Sequence, residues 1–265
     1  MRFVPLEDRR MLATITVNSS AVYLFVDSMV TLRDAIQAEN SDASVDGSIA
    51  GSGADTIEFD GALSSQTITL GGTELEITDT LTIDATALAA NVTIDANMQS
   101  RVLRFSAFPT GNLTLSGLTI TGGRTIGEFD DGGGIRFGSN GTLTLNSSTV
   151  SDNSTTGDLA YGGGIWTFGG AVTLTGSTVS GNSTSGANAN GGGIRTYSGD
   201  VTLSNSTVSG NSTAGAFADG GGISTYSGVV ALTNSTVSGN ISAGAGGGIY
   251  TDSAVTLMGS TLTGN

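Results

Sequence analysis

The chain has 265 residues, a formal net charge of −14, no cysteine and no histidine, and all nine basic residues are arginine. That composition excludes disulfide frameworks, thiolate or imidazole metal sites, histidine-based catalytic triads and Schiff-base lysines. The acidic balance argues against nucleic acid and anionic membranes as partners, and no apolar run approaches the ~20 residues of a membrane-spanning helix.

At the start of the chain, residues 1–13 are too short and too charged to be the apolar core of a signal peptide. Residues 14–55 read as an N-terminal strand followed by a short amphipathic helix. The run Thr31-Leu32-Arg33-Asp34 is a capping box, with Leu32, Ala35 and Ile36 on one face and Asn40 as the stop. Such a helix is expected to cover the open end of the strand array that follows, where backbone edges would otherwise lie unpaired.

That array is predicted from about residue 56 to residue 265. TLTIDA and NVTIDA read as two degenerate early coils, with Asp84 and Asp95 as turn residues, and LTLSGLTIT aligns with LTLNSSTVS thirty residues later. From residue 112 the repetition is regular. GGGI opens at Gly132, Gly162, Gly191, Gly220 and Gly246, and STVS or STLT follows at Ser148, Ser177, Ser206, Ser235 and Ser260. A fixed period of about 29 residues is the mark of stacked repeats.

One copy, GGGIWTFGGAVTLTGSTVSGNSTSGANAN, holds three alternating runs rich in Val, Ile, Thr and aromatics, separated by Gly, Ser and Asn. These are half-buried strands, and no helical spacing is present. Length differences between copies fall only between the runs. Strands in register with variable corners describe an all-β fold, a three-faced parallel β-helix. Alternation points Ile165, Val172, Leu174 and Val179 inward, with Ile194, Val201, Leu203 and Val208 one coil on. Four buried side chains cannot offset the ordering of about 29 residues, so stability must come from stacking.

Asn153, Asn182, Asn211, Asn240 and Asn265 recur at one corner, where their amides can pass hydrogen bonds up the stack. The NST triplets at the first three also fit a glycosylation pattern, which carries little weight in a chain so rich in Ser and Thr. A second series points outward from the first run of each coil: Arg136, Trp166 with Phe168, Arg195 with Tyr197, Ser224 with Tyr226, and Tyr250. Phe168, Tyr197 and Tyr226 are in phase and are expected to stack about 4.8 Å apart. Rings beside guanidinium groups suit a carbohydrate platform, and neighbouring rings on a sheet also stabilise one another. The row is the candidate glycan-binding site.

Catalytic, cofactor-binding and metal-binding residues are not assigned. Asp131 and Asp219 share the corner before GGGI, but Tyr161 and Asn190 interrupt them, so no acidic column forms and Ca²⁺ binding is unsupported.

Three resemblances add to this reading. PLEDRRMLA, within residues 1–13, resembles the short planctomycete extracellular-sorting motif L-E-x-R-x-L-L-A, with Met11 in place of the first of the paired leucines. ATITVNSS, TLRDAIQAEN and GADTIEFD resemble the N-terminal module of secreted β-helix proteins named for a C-S-L-R-E-A motif, with Val30, Thr31 and Asp34 at its Cys, Ser and Glu positions. The coils are similar to the G-G-A-I and F-x-x-N repeats of polymorphic outer membrane proteins, GGGI serving for the first and VSDN, VSGN or LTGN for the second. Together these imply a right-handed parallel β-helix on the outer cell surface or outside the cell, acting as a structural or adhesive passenger. The implied partners are polysaccharides or cell-surface glycans, with no membrane insertion by this chain.

Such passengers carry a C-terminal membrane barrel. The chain stops after STLT, the fifth phrase of the STVS series, which reads as the front part of a longer protein or as a truncated gene, with self-association expected through an uncapped last coil. A polysaccharide-degrading enzyme similar to pectate lyase, which shares the fold, is the alternative. Outward Thr149, Thr178, Thr207 and Thr236, with Ser151, Ser180, Ser209 and Ser238, resemble the hydroxyl grid of ice-binding solenoids, a remoter alternative.

Overall fold

A computed structural model describes residues 13–21, 29–51 and 53–265. The export motif read over residues 1–13 lies, apart from Ala13, outside them. The described chain is an all-parallel β-solenoid with three long faces. Nine strands from Thr14–Val17 to Val255–Met258 build the first face, eight from Thr67–Thr69 to Thr261–Thr263 the second, and seven from Leu75–Ile77 to Ile249–Thr251 the third. One strand of the third face per turn makes seven coils. Five two-residue strands, Arg124–Thr125 to Ile241–Ser242, form a narrow ladder at the corner before the third face.

Register is like upon like. Val172 pairs with Val201 and Leu174 with Leu203 on the first face, Val179 with Val208 on the second, and Ile165 with Ile194 on the third. All eight side chains are fully buried. The first face starts before the regular repeats, because Thr14–Val17 pairs with Asp55–Phe59.

The two TIDA phrases are not two coils. Leu81–Asp84 lies on the first face and Val92–Asp95 on the second, so they are successive faces of one coil. They look alike because the same corner chemistry is used twice: Asp84 Oδ1 accepts the Thr86 N–H at 2.8 Å, and Asp95 Oδ1 accepts the Asn97 N–H at 2.7 Å.

Leu32–Ser41 is a helix with the expected capping box, Thr31 Oγ1 accepting the Asp34 N–H and Asp34 Oδ2 accepting the Thr31 N–H. Leu32, Ala35, Ile36 and Ala38 are buried, and the helix packs on the first strands of the first and third faces. Asn40 does not stop it. The helix continues to Ser41, and Asp42 ends it in the left-handed conformation that a short polar side chain tolerates. Asn40 instead ties the helix to the first coil, its Nδ2 donating to the Glu76 carbonyl and its Oδ1 accepting the Thr78 N–H, each at 2.8 Å.

The cap helix itself carries a buried acid, Glu39, on its last turn. Both carboxyl oxygens of Glu39 lack a hydrogen-bond partner. Burial, reinforced by Asp79, Asp55 and Asp42, pushes its pKa up from 4.5 to about 8. The folded chain therefore holds a proton that the unfolded chain releases above pH 4.5. Glu39's contribution to stability is complete below pH 4.5, declines by about 1.4 kcal/mol per pH unit as pH rises, and is lost above about pH 8. Thermal unfolding at intervals from pH 5 to pH 9 should show the decline in the wild type. Glu39→Gln should flatten it and melt higher at pH 8.

Each glycine of GGGI has its own reason. The first adopts φ near +66° to +74°, where L side chains are strained. At the second, the third face and the corner ladder pinch together: a Cβ on Gly163 would lie 2.3 Å from the Ser183 carbonyl oxygen, and one on Gly192 would lie 2.3 Å from that of Ser212. At the third, a Cβ on Gly193 would lie 2.5 Å from the Gly222 carbonyl oxygen of the next coil and 3.0 Å from the Asn211 amide carbon, so glycine lets the coils approach and leaves room for the asparagine column.

That column is a continuous ladder, buried from Asn153 to Asn240 and exposed at Asn265. Nδ2 of Asn153, Asn182 and Asn211 each donates to the next Oδ1 at 2.9 Å, and Asn240 donates to Asn265 at 2.8 Å. Each of these Nδ2 atoms also donates to a carbonyl on the preceding coil, Val150 for Asn182 and Val179 for Asn211. The amides of Asn153, Asn182 and Asn211 are thus inaccessible for glycosylation in the folded chain. A second ladder stands at the other corner, where the Ser148 N–H donates to Ser177 Oγ, Ser177 to Ser206 and Ser206 to Ser235, each at 3.1 Å.

Candidate functional site

The third face carries the chemically distinctive outward row. Its strands bring Arg104, Arg136, Trp166, Arg195, Ser224 and Tyr250 into register, one per coil. Two residues further along each strand, Phe168, Tyr197 and Tyr226 form a second row. Their ring centroids lie 5.2 and 5.0 Å apart, with interplanar angles of 6° and 17°. The rings are 56%, 45% and 50% exposed, so this stack faces solvent and is not a piece of core. Trp166 tilts against Phe168 at 6.5 Å and 40°.

The guanidinium groups are held, not free. Arg136 lies over Trp166, its Cζ 5.0 Å from the ring centroid, and Arg195 lies 5.5 Å from the centroid of Tyr161. Arg195 is only 8% exposed and donates from Nη1 to the buried Ser224 Oγ at 2.9 Å. The expectation that Arg195 and Ser224 project freely into solvent is therefore corrected. Both stand in the outward row, but Tyr161, at the corner before GGGI, lies against the Arg195 guanidinium, which in turn bonds Ser224.

This overlap makes a pocket of about 260 Å³ lined by Asp131, Tyr161, Trp166, Phe168, Arg195 and Tyr197. Trp166 and Phe168 also wall a neighbouring hollow of about 360 Å³ that contains Arg136 and Phe108. Asp131 Oδ1 accepts the Tyr161 N–H at 2.8 Å, which fixes the corner. Burial pushes the Asp131 carboxyl up to about 6, against the opposing pull of that hydrogen bond and of Arg136 and Arg101. Burial also raises the Tyr161 hydroxyl and lowers the Arg195 guanidinium. The result is a cleft with aromatic walls, one cationic donor and one carboxyl, running along the solenoid axis.

A family model for the right-handed β-helix region matches residues 13–265. The chain belongs to the right-handed β-helix family. No curated protein and no solved structure matches it.

In this β-helix the other groups singled out from sequence lie elsewhere. Tyr226 extends the ring stack one coil past the pocket, and Tyr250 follows Ser224 in the outward row. Asn153, Asn182, Asn211, Asn240 and Asn265 lie at the corner after the second face, in the structural ladder. The Thr149 and Ser151 columns run in register on the second face. Asp219 aligns with Asn190, whose Oδ1 accepts the Asp219 N–H at 2.8 Å, so the corner positions bond backbone and do not gather as Ca²⁺ ligands. Among the described residues no group of three or more acidic side chains is placed to hold a metal ion, and no helix is long and apolar enough to cross a membrane.

Proposed function

We propose that this β-helix is a non-catalytic, secreted or cell-surface protein of structural or adhesive type that binds carbohydrate along the third face. The observation that carries this reading is the exposed stack of Phe168, Tyr197 and Tyr226 beside a pocket walled by Trp166, Tyr161 and Arg195. Aromatic faces complement the apolar faces of pyranose rings, and a positioned guanidinium supplies donors for hydroxyl or carboxylate oxygens. The ring stack runs along the axis over three coils, in the direction an extended glycan would follow. The likeness of the repeats to those of polymorphic outer membrane proteins, of residues 13–60 to the secreted N-terminal module, and of residues 1–13 to an export motif supports a location outside the cell.

Binding to a panel of immobilised polysaccharides and cell-surface glycans tests the site. Trp166→Ala and Tyr197→Ala should each weaken retention about tenfold, the effect of losing one central aromatic contact. Both should keep the wild-type β-sheet circular dichroism, because these rings lie outside the core. Unchanged binding in both variants would remove the proposal.

A second reading, an enzyme similar to pectate lyase, is favoured by one observation: Asp131, Tyr161 and Arg195 share the pocket, and Asp131 is shifted toward neutrality. Turnover of polygalacturonate or alginate by the purified chain decides in its favour, and absence of turnover with retained binding decides against it.

A further inference from the structure

The N-terminal end of the same face holds a larger hollow, about 490 Å³, that the aromatic pocket does not include. Three guanidinium groups line it, Arg101, Arg104 and Arg124, against two carboxylates, Glu74 and Asp130. The lining itself therefore carries one more positive than negative group, in a chain of net charge −14, with Glu76 just outside it and 3.9 Å from Arg104. A fourth arginine stands behind the wall: Arg33 donates to the carbonyls of Thr73 and Glu74 at 2.9 and 3.0 Å.

The three guanidinium groups are not equivalent. Arg101 is fully committed. It is buried, its Nε donates to the carbonyls of Asp131 and Gly132, and its two terminal nitrogens pair with Glu74 and Asp130, which thereby have their charge answered. Arg104 is held by charge alone, with Nη1 3.7 Å from Glu74 and Nε 3.9 Å from Glu76, beyond hydrogen-bond reach. Its Nε is buried and has no hydrogen-bond partner, and the same is true of the hydroxyl of Ser100 on the lining. Arg124 is exposed, and its backbone N–H donates to the Ser100 carbonyl at 2.8 Å, which stacks it directly on that hydroxyl's residue.

Buried donors without acceptors are costly, and two of them, Arg104 Nε and the Ser100 hydroxyl, lie in the wall of this one cavity. We propose that this hollow is an oxyanion site in which the accessible guanidinium nitrogens of Arg104 and Arg124 hold a sulfate, phosphate or carboxylate group. Arg101 acts as the fixed brace that neutralises Glu74 and Asp130. Arg104 pairs in register with Arg136, which lies on Trp166, so the hollow stands one coil from the aromatic row on the same face. The acidic group has two sources, a free inorganic anion or an acid substituent on a bound glycan. Only the second rests on the carbohydrate reading.

The full chain is titrated with sodium sulfate at constant ionic strength, by calorimetry and by the ¹⁵N resonances of the arginine side chains. The same titration is run with a sulfated oligosaccharide and its unsulfated counterpart. Saturable sulfate binding is expected, with a shift of the Arg104 Nε resonance in the wild type, and Arg104→Gln and Arg124→Gln should each weaken it about tenfold. Trp166→Ala should leave the sulfate affinity unchanged, so failure of the carbohydrate reading would not be mistaken for failure of this one. Tighter binding of the sulfated oligosaccharide than of sulfate or the unsulfated sugar assigns the site to a glycan substituent, and equal binding of sulfate and the sulfated sugar assigns it to a free anion. The proposal is overturned if sulfate does not saturate, if the Arg104 Nε resonance stays still, or if the exposed-site variant Arg124→Gln binds as the wild type does.

Discussion

Replacing Gly192 with alanine is expected to cost about 3–5 kcal/mol and to open the stack on either side of the fifth coil's GGGI. The added Cβ would lie 2.3 Å from the Ser212 carbonyl oxygen, 2.6 Å from that carbonyl carbon and 2.6 Å from the Gly221 oxygen. All three are backbone atoms of the next coil, so no side chain can rotate away. Relief requires moving the third face from the corner ladder, which breaks the bonds from Gly192 N–H to the Gly220 carbonyl and from Gly193 N–H to the Gly221 carbonyl. Urea unfolding measures the loss. Gly61→Ala is the control, since a Cβ there meets nothing within 4 Å, and it should change stability by less than about 1 kcal/mol. Equal effects at the two positions would mean that the GGGI glycines are not there for close packing.

Asn182→Ala is expected to be comparably severe, at about 4 kcal/mol. The Asn182 side-chain oxygen accepts from both the backbone N–H and the Nδ2 of Asn153, at 3.1 and 2.9 Å, while its own Nδ2 donates to the Val150 carbonyl and to Asn211 Oδ1. Alanine leaves four buried polar groups short of a partner, at about 1–3 kcal/mol for each that water cannot reach. Ser180→Ala, two residues earlier and facing outward, should cost less than about 0.5 kcal/mol. Thermal melts of the two variants separate the ladder from the solvated face. A near-neutral Asn182→Ala would show that the amide column adds little to stacking.

How much of this was legible in the sequence depended on where each residue sits in the coil. The period and the placement of its length changes carried the three faces, because a strand in register tolerates no insertion while a corner does. The phase of Phe168, Tyr197 and Tyr226 carried their stacking for the same reason. Corners were another matter. Alternation states which way a side chain points from the core, but not which loop lies across it, so the cover of Tyr161 over Arg195 was hidden. The link from Asn153 to Gly162 keeps the pattern N-S-T-x-G-x-x-A in three successive coils, but its last residue changes from Tyr161 to Asn190 to Asp219, so nothing in the repeat singles out a ring that lies on Arg195. The serine ladder left a signal in the first letter of STVS, repeated in every copy, but the alternating run absorbs that serine into the strand, whereas the strand starts one residue later at Thr178. The TIDA phrases misled because two faces of one coil happen to share a turn.

The β-helix has a single tryptophan, and Trp166 lies in the proposed site, packed between Arg136 and Phe168. Its intrinsic fluorescence therefore reports that groove alone. The most direct measurement is a titration of the wild-type chain with soluble fragments of any polysaccharide it retains on a column, read as Trp166 emission and repeated with Tyr197→Ala. The account predicts a saturable change in emission whose midpoint matches the binding constant and weakens about tenfold in the variant. Retention of a polysaccharide with Trp166 emission unmoved at saturation would place binding elsewhere and contradict it.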